Sequence, residues 1–309
     1  MASIRFKISA LYHSLRNTII DWAILCKGQS LEYEILQIAH RLEKGLIIHN
    51  PRRMWGWEKA ERLHYLLQFC DDEFARSTGD SVLSAYLNSK KNSIYEEDID
   101  SYHAFIARTN FKIDLNNLGG ALTVEKTTFS NEELNVITKL FTTRHSTRSF
   151  SDSTVPMDKL TLAINLALRC PSACNRQPFK VYVVNKDDKQ LYISGNIEQE
   201  GDMFLYITGS IDAYTLDEIN DWIVSPSIFC GYLSLTLHAF GIGSCIIRKD
   251  LAKDTDYNKS VKRFCKIPQG EKLIIELAIG LYDDTFTVPV SNRKTANDSM
   301  IICSEQNIR

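Results

Sequence analysis

The chain contains no uninterrupted apolar run approaching the ~20 residues that a membrane-crossing helix needs, so no bilayer span is expected. An excess of basic charge is missing too. The 36 Lys and Arg stand against 38 Asp and Glu, a formal charge of −2, so nucleic acid is not expected as a partner and any phosphate site must be local. The eight cysteines include no Cys-x-x-Cys pair. Several sit inside apolar periodic stretches, where free Cys packs as a small hydrophobe, so no metal site is expected and a reducing cytoplasm is the simplest setting. Cys170 and Cys174 form a Cys-x₃-Cys pair without a clear His or acidic partner, which reads as packing. A secretory signal is not expected, because the apolar residues after the basic start are broken by His13, Arg16, Asn17 and Asp21, with no small-residue cleavage site. What remains is a chain of 309 residues, 44% hydrophobic and 24% charged, able to bury a substantial core in two domains or one elaborated domain.

Residues 1–125 read as all-helical. Ile4, Ile8, Leu11, Leu15, Ile19 and Trp22 follow helical spacing, with Arg5, Lys7, His13 and Arg16 making the remaining surface basic. This amphipathic stretch is expected to dock on protein, with membrane-surface contact by residues 1–25 as the lesser alternative. Ser30 can cap a helix with Glu32 and Glu34 in its first turn, an apolar seam of Leu31, Ile35, Ile38, Leu42 and Leu46, and Gly45 at its end. A second helix is predicted from Trp57 to Cys70 with a Glu58–Arg62 pair, a third from Asp80 to Asn88 and a fourth from Glu96 to Arg108. Arg108 to Thr128, with Asn116-Asn117 and Gly119-Gly120, reads as a linker, and Ser130 with Glu133 as a capping box opening a second domain, 126–309. The charged string His40-Arg41-Leu42-Glu43-Lys44, followed by Arg52, Arg53 and Lys59, reads as a solvated helix end. An anion site or lid is the alternative.

Two short segments carry the chemistry. In Arg144-His145-Ser146-Thr147-Arg148, two guanidiniums and a hydroxyl fall on alternate positions, which in extended chain share one face suited to a phosphate. Pro171-Ser172-Ala173-Cys174-Asn175-Arg176-Gln177-Pro178 is a loop rich in hydroxyl, carboxamide and backbone N–H groups, able to hydrogen-bond the rim of a flat heterocycle. Arg176 is expected to point to solvent. Between the two segments, Met157 to Arg169 has helical spacing, and Phe179 to Val184 reads as a buried strand.

These segments, in this order, resemble the pattern of the nitroreductase-like flavoproteins, Arg-x-Ser-x-Arg/Lys, helix, then Pro-Ser-x-x-Asn-x-Gln-Pro-aromatic. The resemblance extends over Asn131 to about Lys294: a long apolar helix from Phe229 ending at Gly241 and Gly243, an Ile-Pro-x-Gly passage at Ile267 to Gly270, and a strand from Lys272 to Leu281. The helical region also resembles that of a subset of such proteins often encoded among surface-polysaccharide genes.

The resemblance implies an α+β fold with a mixed, mainly antiparallel sheet flanked by helices, a long central helix, and a homodimer with FMN at its interface. It implies that Arg144, Ser146 and Arg293 hold the phosphate and that Arg148 lies near the ribityl chain or pyrimidine edge. Ser172, Asn175 and Gln177 would meet the ring edge and Gly243 and Ser244 the opposite rim, with His145, Pro171 and Ala173 completing the cofactor set. It implies hydride transfer from NADH or NADPH through FMN to a small organic acceptor of nitroaromatic or quinone type, with no catalytic side chain. The other reading is a flavin-binding or scaffold protein without turnover, since every matched residue points to cofactor and none to an acceptor.

Overall fold

The computed structural model describes residues 15, 18, 19, 22–193, 201–218, 220–247 and 255–303. Most of the amphipathic stretch at the start of the chain lies outside the described residues. Among the described residues of the first half, the chain from Leu31 runs through α1 (Leu31–Leu46), α2 (Trp57–Leu67), α3 (Glu73–Lys91) and α4 (Glu96–Thr109). The seam of α1 is buried as its spacing predicts, through Ile35, Ile38 and Leu42, and joins Leu63 of α2, Val82, Leu83 and Tyr86 of α3 and Phe105 of α4 in one apolar cluster.

Helix α3 is longer than predicted. It starts at Glu73 because the Asp72 carboxylate accepts a 2.8 Å bond from the Ala75 amide, and it runs through Gly79. A Cβ at Gly79 would lie 2.8 Å from Leu67 and 2.9 Å from Ile35, so the glycine that weakens the local helix signal is what lets three helices approach. The predicted Glu58–Arg62 pair does not form; Arg62 makes a two-bond contact with Glu34 of α1, at 2.9 and 3.2 Å. The expected linker starts in α4 and from Asn110 lacks helix and strand, but it is fastened to α3, with Asp114 N donating to Ser84 Oγ at 3.1 Å and Gly119 N to Ser81 Oγ at 2.9 Å.

The second half opens with α5 (Asn131–Thr143), whose Ser130/Glu133 capping box is formed in both directions. Helix α6 (Met157–Ala167) follows, then β1 (Phe179–Asn185), α7 (Lys186–Tyr192), β2 (Met203–Ser210), α8 (Asp221–Ala239), β3 (Ile242–Ile247), α9 (Asp256–Phe264), β4 (Glu271–Leu281) and a short α10 (Ala296–Ser299). The four strands form one sheet in the order β1-β2-β4-β3, each neighbouring pair antiparallel. A parallel bridge from Ser146 to Ser244 adds the mixed element.

Strand β2 is buried along its whole length. Its alternate residues serve two cores: Met203, Leu205 and Ile207 pack with Leu160 of α6 and Phe229, Leu233 and Leu237 of α8, while Phe204 and Tyr206 pack with Val261 of α9. The protein is thus α+β, a helical region followed by a sheet with helices on both faces. Among the described residues no helix is long and apolar enough to cross a membrane. The halves meet where Ser30 N donates to the Asp212 carbonyl at 2.9 Å and Gln29 Nε2 to the Ala213 carbonyl at 2.7 Å.

Candidate functional site

The Arg-x-Ser-x-Arg segment leaves α5 in extended conformation and runs beside β3. Ser146 bridges Ser244, and the Thr147 amide donates to the Ser244 carbonyl at 3.0 Å. Thr147 is therefore buried, while Arg144, His145 and Ser146 are half-buried and Arg148 is exposed. Neither Arg144 nor Arg148 meets a carboxylate among the described residues. The segment is then pinned at Phe150, which lies over two glycines. A Cβ at Gly280 would fall 2.6 Å from the Phe150 ring, and one at Gly243 would fall 3.1 Å from it. Gly243 thus serves close approach, and the positive φ, +77°, belongs to Gly241.

His238, at the end of α8, had no sequence signal and joins three elements here. Its Nε2 lies 2.8 Å from Thr143 Oγ1 at the end of α5, and its Nδ1 lies 2.9 Å from the Tyr282 hydroxyl after β4. Partial burial, then the charges of Arg144 and His145, lower its pKa. A neutral ring fits a position bridging two hydroxyls beside a guanidinium.

The second segment forms a tight turn with Cys174, Asn175 and Gln177 at φ of 50°, 50° and 49°, left-handed conformations that carboxamide residues tolerate. Ser172 Oγ accepts from the Gln177 amide at 3.0 Å. Pro171 and Asn175 are exposed; Ser172, Ala173 and Gln177 are half-buried.

Arg176 contradicts its expected solvent position: it is 1% exposed. Its Nε donates to the Ala173 carbonyl at 3.0 Å, and Nη1 to the Ala213 carbonyl at 2.7 Å. Both terminal nitrogens bind Glu218, at 2.9 and 2.5 Å, with the Tyr214 ring 4.4 Å below the guanidinium. The physical reason is the turn itself. Left-handed Cys174 and Asn175 aim Arg176 inward, where the guanidinium fork reaches the Ala173 and Ala213 carbonyls and the Glu218 carboxylate. Cys170, at the head of the loop, is buried and its thiol pKa is raised by that burial, as a packing residue requires.

The structure brings Arg144, Ser146 and Arg148 together with Gly243 and Ser244. It sets the loop at 171–177 apart from them. Phe179, just after the loop, pairs with Gly209 and through it with Lys272, whereas Ser244 pairs with Ile279. From Lys272 to Ile279 is seven residues, about 24 Å along the strand, and three interstrand steps add about 14 Å across the sheet. The two segments occupy opposite corners. Arg293 is exposed, its guanidinium on the carbonyl of Ser291.

The helical region reaches the loop at 171–177 through the start of α1. Tyr33 and Ala173 pack on a shared cluster of Leu25, Ile211, Ala213 and Tyr214. Trp55 and Trp57 pack into the helical core beside Tyr86. His40 Nδ1 lies 3.2 Å from Glu43, whose other oxygen accepts from the Gly120 amide at 3.1 Å, so this pair fastens the segment after α4.

The nitroreductase-family model matches residues 141–205. No curated protein is similar enough to the chain to count as a match. Among solved structures, an FMN-dependent nitroreductase from Clostridium difficile R20291 is 21% identical, with 53% of this chain and 98% of that one covered and a TM-score of 0.44. A nitroreductase family protein from Streptococcus pneumoniae TIGR4 is 20% identical, covering 54% of this chain and 100% of its own, with a TM-score of 0.44. Another, from Clostridium novyi NT, is 22% identical over 48% of this chain and 85% of its own, with a TM-score of 0.41. Over residues 141–205, which hold both chemistry-bearing segments between Arg144 and Gln177, the chain carries the pattern of the nitroreductase family.

Proposed function

We propose that the protein is an FMN-dependent oxidoreductase that takes a hydride from NADH or NADPH and passes it to a small organic acceptor of quinone or nitroaromatic type. In this reading residues 1–125 are a helical extension and 126–309 the flavin domain, acting in the cytoplasm as a homodimer. The observation that carries it is the meeting of the Arg144–Arg148 strip with Gly243 and Ser244, while the ring-edge loop sits at the opposite corner of the sheet. That separation exceeds the length of one flavin mononucleotide. A second copy supplies the missing half.

The surface favours such pairing. Helix α5 buries no residue in the single chain and leaves Leu134, Val136 and Phe141 exposed, and α8, apolar on all sides, exposes Val224, Ile228 and Tyr232. Exposed apolar faces of this extent mark association surfaces.

Arg144, Ser146 and Arg148 fit a phosphate: two guanidiniums without a carboxylate partner and a hydroxyl on one strip, where bidentate contacts are available. Arg148, the more exposed, is assigned to the ribityl or pyrimidine side, where its charge favours an anionic ring. Arg293 is assigned as a further phosphate ligand, brought in from the exposed segment after β4. His145 borders the phosphate, and Gly243 and Ser244 form the rim beside it. Pro171, Ser172, Ala173, Asn175 and Gln177 of the second copy offer carboxamide, hydroxyl and backbone groups to the ring edge. FMN, when bound, supplies the hydride-accepting chemistry; the side chains bind and orient it and need not act as nucleophile or base.

Anaerobic mixing of the FMN-loaded protein with NADH and with NADPH tests the reading. Loss of the oxidised flavin absorbance with either one supports it. An unchanged oxidised spectrum with both overturns turnover and leaves a flavin-binding protein.

A further inference from the structure

Where α1 ends and α2 begins, a cavity of about 340 Å³ is lined by Arg41, Lys44, Arg52 and Lys59, with Trp55 and Ile48 as its apolar wall. Arg41 and Lys44 stand three residues apart on α1 and share a face. Arg52 comes from the intervening loop and Lys59 from the first turn of α2. No carboxylate lines the cavity.

Elsewhere in the helical region Arg53 meets Glu97 at 3.4 Å, Arg62 meets Glu34 at 2.9 Å, Lys90 meets Asp98 at 2.8 Å and Arg108 meets Glu61 at 2.8 Å. Arg41, Lys44, Arg52 and Lys59 meet no acidic group among the described residues. Four like charges around one hollow repel one another unless an anion joins them, and the chain's formal charge of −2 supplies no general reason for a basic patch.

The wall is built rather than incidental. Trp55 lies directly over Gly45, where a Cβ would fall 2.1 Å from the indole ring. The Trp55 carbonyl accepts from the Tyr86 hydroxyl at 2.6 Å, and the buried Lys90 ammonium sits 4.6 Å from its ring centre. The α2 N-terminus at the cavity adds to the field. Its N-cap is Gly56, at φ +83°, and no side chain caps the first-turn amides.

We propose that this cavity binds a small organic phosphate, with the phosphoryl group held by the Arg41, Lys44, Arg52 and Lys59 cations and an apolar or planar body laid against Trp55 and Ile48. Two guanidiniums match the fork geometry of phosphate oxygens, and a dianion answers more of the fourfold charge than a carboxylate does. The volume falls within the range of about 300–1,000 Å³ typical of small-ligand pockets. This site lies at the far end of α1 from Tyr33, which contacts the cluster beside the 171–177 loop. Tyr33 and Gly45 are twelve residues apart, about 18 Å of helix.

The test is calorimetric titration of the full chain, and in parallel of the Arg144→Ala variant in which the other basic strip is weakened, with phenyl phosphate, inorganic phosphate and phenol in separate arms. Phenyl phosphate is expected to bind more tightly than either fragment and more weakly as salt is raised. The double variant Arg52→Gln, Lys59→Gln, which alters only exposed side chains, should weaken it by at least about tenfold. Arg53→Gln, one residue along but paired to Glu97, should leave it unchanged. Absence of phenyl phosphate binding at millimolar concentration overturns the proposal. So does equal weakening by Arg53→Gln, or inorganic phosphate binding as tightly as phenyl phosphate.

Discussion

Replacing Arg176 with alanine removes a side chain that is 1% exposed and holds the 171–177 turn to the segment at 213–218. Breaking a buried ion pair from one side costs about 3–5 kcal/mol, because the remaining charge is left without its partner. Glu218 keeps 22% of its side-chain surface in solvent, which places the loss near the lower end of that range. The Ala173 and Ala213 carbonyls lose donors as well, at about 1 kcal/mol each. A total of about 5 kcal/mol should lower the unfolding midpoint by about 8 °C for a chain of 309 residues, at about 1.5 °C per kcal/mol. Differential scanning calorimetry of the Arg176→Ala variant measures it.

Acid provides an independent check. The hydrogen bond from Arg176 holds the Glu218 pKa below its ordinary 4.5. Its stabilisation is therefore present above that value and is lost as pH falls through the lower folded-state value. The gap between wild type and variant should close on acidification. The double variant Arg176→Met, Glu218→Gln removes the orphaned charge and should recover part of the loss. A midpoint drop of less than about 3 °C at neutral pH, where about 8 °C is expected, would refute the reasoning.

Two further changes probe the Arg144–Arg148 strip. Gly280→Ala places a methyl 2.6 Å from the Phe150 ring and should destabilise by about 1–3 kcal/mol while loosening the strip, read as lower unfolding midpoint and faster amide exchange at Thr147 and Ser151. His238 has a lowered pKa, so its contribution is present above the ordinary 6.5 and is lost as pH falls through the lower folded value; wild type should lose more stability than His238→Asn between pH 7.5 and pH 5.5, and parallel losses would refute the assignment.

Local signals carried most of the secondary structure. The Ser130/Glu133 box, the seam of α1 and the strand from Phe179 each involve residues a few positions apart, where helix and strand geometry dictate who meets whom. The same geometry put Arg144, Ser146 and Arg148 on an extended strip. Long-range choices were not legible. Arg62 prefers Glu34 to its helical neighbour Glu58 because α1 and α2 pack side by side. Arg176 turns inward to meet Glu218, 42 residues away in sequence, and a guanidinium in a polar loop looks like a solvent residue until that partner is placed. Helix α3 extends through Gly79 because tertiary contact outweighs local propensity. His238 joins Thr143 and Tyr282 only once α5, α8 and β4 are assembled.

The central claim is that the flavin site is shared between two copies, and subunit mixing tests it most directly. One chain carries Arg144→Ala and Ser146→Ala, the other Ser172→Ala and Asn175→Ala, and each alone should bind FMN weakly. In a mixed dimer with shared sites, one site collects both defects and the other collects none. Fluorescence titration of the mixed species should then recover wild-type affinity at one FMN per two chains. If each chain built its own site, every site in the mixture would keep one defect, and the absence of any tight site would contradict the account.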